Sequence, residues 1–299
     1  MKINNPFIKL KENLDKNDYS DINELKNICM EYDKTFLKLE IDFKMNNAGK
    51  ISKNMKHINE FMFYNENILI GYVGICCFGG VELEVNGMVH PEYRRKGIFT
   101  RLFSLVRDEF NKRDSKLMLL LSDNSSVGGI EFIKNITDDY EHSEYDMSLD
   151  MDMEQTFNDN MVFKKASYED IEKIVMEDFE FNNHYKDTFG NENDAENLIN
   201  STYVMEKDNA IIGMVRLEVI ENAGGIYGLE VLSVYRGKGY GRELLNHSIK
   251  KLKEDNVESI SLQVVTDNKN ALNLYKSCGF KENYIMDYYR LVKWLTCKF

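Results

Sequence analysis

The sequence predicts a mixed α/β fold arranged as two tandem domains, and three observations carry that reading. Short β-branched and aromatic runs alternate with longer segments whose apolar residues recur every three or four positions, as strands and amphipathic helices do. An apolar strand runs twice into a Tyr-Arg-x-Lys-Gly cluster, at Tyr93-Arg94-Arg95-Lys96-Gly97 and at Tyr235-Arg236-Gly237-Lys238-Gly239. Arg94 and Arg236 stand 142 residues apart, and the same offset pairs Asn67 with Asn209, Gly71 with Gly213, Val89 with Val231 and Leu102 with Leu244. A register kept that long points to duplication of a whole domain.

In the first half, Phe61 to Tyr64, Ile68 to Phe78 and Val81 to Val89 read as strands. A helix follows the cluster to about Arg113, and strands return at Lys116 to Leu121 and Tyr140 to Leu149. In the second half, Tyr168 to Phe179 has helical spacing through Ile171, Ile174, Val175 and Phe179. Tyr203 to Glu206 and Ala210 to Val219 read as strands across an Asp208-Asn209 turn, and Ile226 to Val234 as the next. The helix from Gly239 to about Asp255 offers Leu244, Leu245, Ile249 and Leu252 to a core, and a strand follows at Ser259 to Val265. Asn268 is placed to cap a helix carrying Ala271, Leu272, Leu274 and Tyr275, Cys278-Gly279 stops it, and Tyr284 to Leu291 is terminal strand. Periodicity fails between Asp150 and Asn160, which puts the seam there and gives domains 1–155 and 156–299.

At 299 residues each half is long enough for its own core. The net charge of −12 argues against a nucleic-acid partner, whose binding leans on many Lys and Arg. Excess acid either keeps the surface solvated or favours a basic small molecule or peptide. Five cysteines, without a Cys-x-x-Cys pair, suit packing in a reduced, cytoplasmic setting. No apolar run approaches the roughly 20 residues that cross a bilayer, so no membrane partner is expected. The five histidines lack metal-ligand spacing, so no metal is expected either. Monomer and homodimer stay equally open.

The clusters are suited to anions. Amides at a helix start have no partner within the helix, and the helix dipole favours negative charge there. Amides of residues 237 to 242 would take a diphosphate, Gly237, Gly239 and Gly241 would let it come close, and Arg236, Lys238 and Arg242 would add screened attraction. The Gly-x-Gly-x-Gly spacing differs from the Gly-x-Gly-x-x-Gly of dinucleotide folds.

Arg236-Gly237-Lys238-Gly239-Tyr240-Gly241 resembles the acyl-CoA loop of the GCN5-related N-acetyltransferase (GNAT) superfamily. The stretch from Asn268 through Ala271, Leu274 and Tyr275 to Gly279-Phe280 is similar to the family's Asn-x-x-Ala-x-x-Leu-Tyr…Gly-Phe segment. The resemblance covers most of the second half, and the tandem arrangement is similar to mycothiol-synthase-like acetyltransferases. It implies a twisted, mostly antiparallel sheet in each domain, with a central strand pair that splays apart. It also implies acetyl-CoA as donor substrate and direct transfer of acetyl to a primary amine of a small molecule or peptide. In that frame the strand at Leu229, Glu230, Val231, Leu232 and Ser233 borders the pantetheine arm, and Asn268 holds the coenzyme near the thioester. Tyr275 is the implied general acid, and a backbone amide near Glu230 and Val231 steadies the carbonyl oxygen.

The base is open. Some relatives carry a glutamate on the strand after the loop helix, where this chain has Gln263, leaving Glu230, Glu218 or water. Gln263 also motivates a rival reading, a non-catalytic acyl-CoA sensor or interaction protein. The first half departs further, with Phe99 where the second small residue falls and no tyrosine in Asp123 to Phe132. It reads as a degenerate copy that either binds CoA or braces the catalytic C-terminal domain. Acceptor specificity is expected from Asp170 to Phe189 and from the domain seam.

Overall fold

The structure, a computed structural model, describes residues 2–46, 57–77, 82–157, 160–177 and 199–293. The chain forms two compact units, Met1–Ser143 with Tyr284–Phe299 (unit 1) and Glu144–Asn283 (unit 2).

Unit 1 runs through β1 (Pro6–Lys11), α1 (Lys16–Asp33), α2 (Ile41–Asn46), β2 (Glu60–Asn65), β3 (Ile68–Cys76), β4 (Glu82–Val89), α3 (Ile98–Lys112), β5 (Leu117–Asp123) and α4 (Val127–Lys134). The chain continues through β6 (Tyr140–Leu149), β7 (Val162–Lys165), α5 (Tyr168–Glu177), β8 (Thr202–Lys207), β9 (Ala210–Ile220) and β10 (Ala223–Val231). It ends with α6 (Tyr240–Glu254), β11 (Ser259–Val265), α7 (Lys269–Ser277) and β12 (Phe280–Val292). The strand order is β1-β2-β3-β4-β5-β12 in unit 1 and β7-β8-β9-β10-β11-β6 in unit 2. Only β4 with β5 and β10 with β11 pair in parallel; the other recorded pairings within the units are antiparallel.

Alternation along the strands supplies two buried faces. Phe61 and Phe63 of β2 join the layer under α3 with Leu102, Val106 and Phe110, while Met62 and Tyr64 join Ile22, Leu25 and Cys29 of α1. In unit 2, Leu244, Leu245, Ile249 and Leu252 of α6 pack on one face, and Ile171 and Ile174 of α5 meet Val204, Ile211 and Met214 on the other. Helix α1 shows only a narrow stripe, Ile22, Leu25 and Cys29, which periodicity alone did not reveal; its start is set by a capping box between Asp15 and Asp18.

Two expectations shift. The strand expected to reach Val234 ends at Val231, and Ser233–Tyr235 forms a 3₁₀ turn. The units also divide differently from a cut between residues 155 and 156. Met286 to Val292 of β12 ladder onto β5, and Glu144 to Ser148 of β6 ladder onto β11, so each unit takes its last strand from beyond a simple half. Polar composition marks Asp150 to Phe157 as a loop, whereas strand pairing sets the units.

Candidate active site

The site in unit 2 begins where β10 leaves its parallel neighbour. Pairing with β11 runs from Ala223↔Ser259 to Ile226↔Leu262 and stops, although both strands continue. Beyond that point β10 pairs, among the described residues, with β9 alone, across a register shift between Tyr227 and Glu230 at which Gly228 adopts φ 53°. A left-handed residue and an irregular ladder make a bulge, which re-aims the strand and frees backbone groups for a ligand. The splay agrees with the expectation for the Leu229 to Ser233 segment. A lone glycine inside a strand pattern was the available signal for the bulge.

The loop follows directly. Gly237 and Gly239 have φ 76° and 87°, and a Cβ added at either would meet open space. Backbone bonds of α6 begin with Arg242 N–H donating to the Gly239 carbonyl at 3.1 Å, so the preceding amides lie at the mouth of the helix. This arrangement fits a diphosphate: left-handed glycines turn the chain, and nothing obstructs the space above them. Gly241 has another task, since an added Cβ would stand 3.3 Å from Leu274 and 3.8 Å from Val231. Its small size lets the start of α6 approach α7.

The cations brace the loop. Arg236 Nε donates to the Val231 carbonyl at 2.9 Å and its guanidinium reaches Glu230 at 3.3 Å. Lys238 Nζ donates to the Val234 carbonyl at 3.1 Å, and Arg242 holds Ser277 Oγ at 2.9 Å. Their charge stays near the loop while their donors fasten it, a role the motif alone did not reveal. Tyr240 turns toward Lys207, whose Nζ lies 3.2 Å from its hydroxyl. Leu232 is buried against α5, and its amide donates to the Ile212 carbonyl at 3.0 Å. Ser233 opens the 3₁₀ turn.

Tyr275 lies on α7 with only 8% of its surface exposed, within the unit 2 core and edge-on to Phe280. Burial raises its pKa above the ordinary tyrosine value, so the hydroxyl keeps its proton. Asn268 caps the same helix, its Oδ1 accepting from Ala271 N–H at 3.2 Å. Glu230 lies beside Arg236 as a partly exposed ion pair, and Glu218 pairs with Arg216 at 3.3 Å. Of the expected acceptor region, Asp170 to Glu177 lies on α5 and 178–189 falls outside the described residues. Among the described residues no three His, Cys, Asp or Glu side chains group as a metal site, and no helix is long and apolar enough to cross a membrane.

Unit 1 repeats the frame. Its parallel ladder stops at Val85↔Leu120, and Arg94 Nε donates to the Val89 carbonyl at 2.9 Å. Arg95 and Gly97 take φ 60° and 76° where unit 2 has Gly237 and Gly239. Ser126 caps α4 as Asn268 caps α7. Phe99, at the Gly241 position, meets Phe132 edge-on at 4.6 Å, the residue 142 before Leu274. Cys29 points to the Val89 carbonyl, and burial pushes its thiol up to about 11, in keeping with a packing role.

Two units, each with a splayed parallel strand pair that opens into a glycine-turned helix mouth, have the fold of GCN5-related acetyltransferases. A GCN5-related N-acetyltransferase from Sphaerobacter thermophilus shares this fold with a TM-score of 0.71 at 15% identity, over 95% of both chains. A tandem GNAT protein from the clavulanic acid biosynthesis pathway does so with a TM-score of 0.67 at 13% identity, over 96% of this chain and 98% of its own. The model of the acetyltransferase (GNAT) family matches residues 168–280. An N-alpha-acetyltransferase of Sulfurisphaera tokodaii is 33% identical over 100 residues, 29% of this chain and 60% of the relative. The [ribosomal protein bS18]-alanine N-acetyltransferase of Haemophilus influenzae is 31% identical over 90 residues, 30% of this chain and 60% of the relative. The chain therefore spans about three fifths of the length of these two relatives. The likeness to mycothiol-synthase-like proteins rests on the sequence alone.

Proposed function

We propose that the protein is a cytoplasmic, acetyl-CoA-dependent N-acetyltransferase that works in unit 2 on a primary amine of a peptide or small molecule. The observation that carries this is the continuous path from the splayed end of β10, through the left-handed Gly237 and Gly239, to the mouth of α6. Bound acetyl-CoA supplies a thioester whose C–S bond breaks as the amine nitrogen bonds to the carbonyl carbon. The amides of residues 237–241 hold the diphosphate, with Arg236, Lys238 and Arg242 keeping the loop in shape. Tyr275, protonated through burial, donates to the leaving sulfur, a contribution of roughly 10² to 10⁴ in rate. Glu230, on the strand edge beside Arg236, or water takes the amine proton. The likeness to N-alpha-acetyltransferases favours a peptide α-amine as acceptor.

Release of free CoA from acetyl-CoA with a panel of free-N-terminus peptides and small amines tests the reading. Turnover that Tyr275→Phe reduces at least a hundredfold is expected. The rival, an acyl-CoA sensor without chemistry, draws on Gln263 of β11 at the position where some relatives carry the base. Tight CoA binding with no turnover across the panel would favour it.

A further inference from the structure

On the α5 side of unit 2, a charged and aromatic group stands beside the splay. Val215 and Leu217 of β9 and Ile226 of β10 belong to the layer under α6, so Met214, Arg216 and Glu218 of β9 and Gly225 and Tyr227 of β10 face the other way, the side on which Met214 meets Ile171 and Ile174. Arg216 pairs directly with Tyr227, the residue after Ile226, where β10 parts from β11. Glu230 pairs with Met214, so Arg216 stands one diagonal step from Glu230, about 7–8 Å away on the same face.

The group is built around the tyrosine ring. A Cβ added at Gly225 would lie 2.5 Å from Tyr227 Cε2, so the ring folds back over that glycine. The Arg216 guanidinium carbon lies 5.1 Å from the ring centroid, within cation–π range. Arg216 Nε approaches Glu218 Oε1 at 3.3 Å as an ion pair, yet it makes no hydrogen bond. The terminal nitrogens also donate none among the described residues, and with 31% of the side chain exposed they are open to a ligand. A guanidinium is a planar fork of donors that matches a carboxylate. Its pairing with Glu218 is exposed and therefore weak, so a better-placed carboxylate can displace it. Arg236 and Arg242, by contrast, spend their donors on the coenzyme loop. The group lies outside the repeated frame, because Gly74, Cys76 and Val85 stand 142 residues before Arg216, Glu218 and Tyr227.

We propose that Arg216, seated on Tyr227, selects the acceptor by binding a carboxylate on it, so that the preferred substrate is a peptide whose free α-amine is followed by Asp or Glu at the second residue. With the amine at Glu230, one residue of extended chain advances about 3.5 Å toward Arg216, and an acidic side chain spans the remainder. This rests on the reading of unit 2 as a transferase for a peptide α-amine and adds which peptide it takes.

Calorimetric titration of the full chain, saturated with CoA, with free-N-terminus peptides that differ only in Asp, Asn or Lys at the second residue tests it, alongside CoA release from acetyl-CoA with the same peptides. The Asp peptide should bind about tenfold more tightly than the other two, the scale of a charge-assisted hydrogen bond. Arg216→Gln should abolish that preference and raise KM for the Asp peptide while leaving kcat and CoA affinity unchanged. Arg216→Lys should keep part of it, having the charge without the fork. Glu218→Gln should sharpen the preference by removing the competing carboxylate, whereas a purely structural pair would only loosen. Equal binding of the Asp and Asn peptides, or an Arg216→Gln variant that weakens all three alike, would overturn the subsite. Acetylation indifferent to the second residue would overturn the subsite and spare the transferase reading; a binding preference that depends on Arg216, with no peptide acetylated, would support the subsite and count against transfer.

Discussion

Units 1 and 2 use the same scaffold at the same register and carry different side chains at most positions on it. Both stop their parallel ladder early, turn through two left-handed residues and brace the loop with an arginine bonded to a carbonyl five residues back. Where they part, unit 2 has Gly228 in a bulge, Gly241 and Tyr275, and unit 1 has Asn86 in regular pairing, Phe99 and Ile133. Backbone geometry is thus kept where the side chains proposed for chemistry differ. The helix contact at the loop also survives in altered form, as Gly241 against Leu274 in one copy and Phe99 against Phe132 in the other.

The largest effect should come from breaking the comparison at its boundaries. A fragment ending at residue 155 deprives unit 1 of β12, including buried Met286, Tyr288 and Tyr289. Each such side chain is worth on the order of 2–5 kcal/mol, so the fragment should fail to unfold cooperatively in denaturant, while residues 1–143 joined by a linker to 284–299 should recover a transition.

Next comes the tyrosine. Tyr275→Phe should lower kcat by roughly 10² to 10⁴ and leave CoA affinity nearly unchanged. Ile133→Tyr in unit 1, added to that variant, should not restore turnover, because unit 1 lacks the Gly228 bulge. Burial raises the pKa of Tyr275, so its acid form persists through the ordinary tyrosine value of about 10 and is lost only above it. The alkaline limb of kcat should therefore fall above about 10, and a limb near 8 that disappears in Tyr275→Phe would contradict the assignment.

Smaller effects sharpen the glycine and base assignments. Gly239→Ala places a left-handed alanine at φ 87° with its methyl in open space, costing about 1–2 kcal/mol of stability and more than tenfold in CoA affinity. Glu230→Gln should reduce kcat by less than tenfold if water shares the proton, and a loss above a hundredfold would make Glu230 the sole base.

Much of this was legible before the structure. The β8–β9 hairpin followed from Asp208-Asn209, which the structure shows with φ 51° and 63°, and α6 followed from the spacing of its leucines. The cap at Asn268 followed from its position before Ala271, Leu274 and Tyr275, while the structure adds that Ser126, 142 residues earlier, caps α4 in the same way. The exchange of β6 and β12 was not legible, since local periodicity says that a residue is in a strand and not which strand it pairs with. Nor were the duties of Arg236 and Arg242, because a cation beside a phosphate loop looks the same in sequence whether it meets the ligand or ties down the loop.

The most direct measurement is a crystal structure of the full chain with acetyl-CoA. Diphosphate density on the amides of residues 237–241, with the pantetheine arm along the open edge of β10 and the sulfur within hydrogen-bond reach of Tyr275, is the expected result. Coenzyme bound elsewhere in unit 2, or a sulfur remote from Tyr275, would contradict the account.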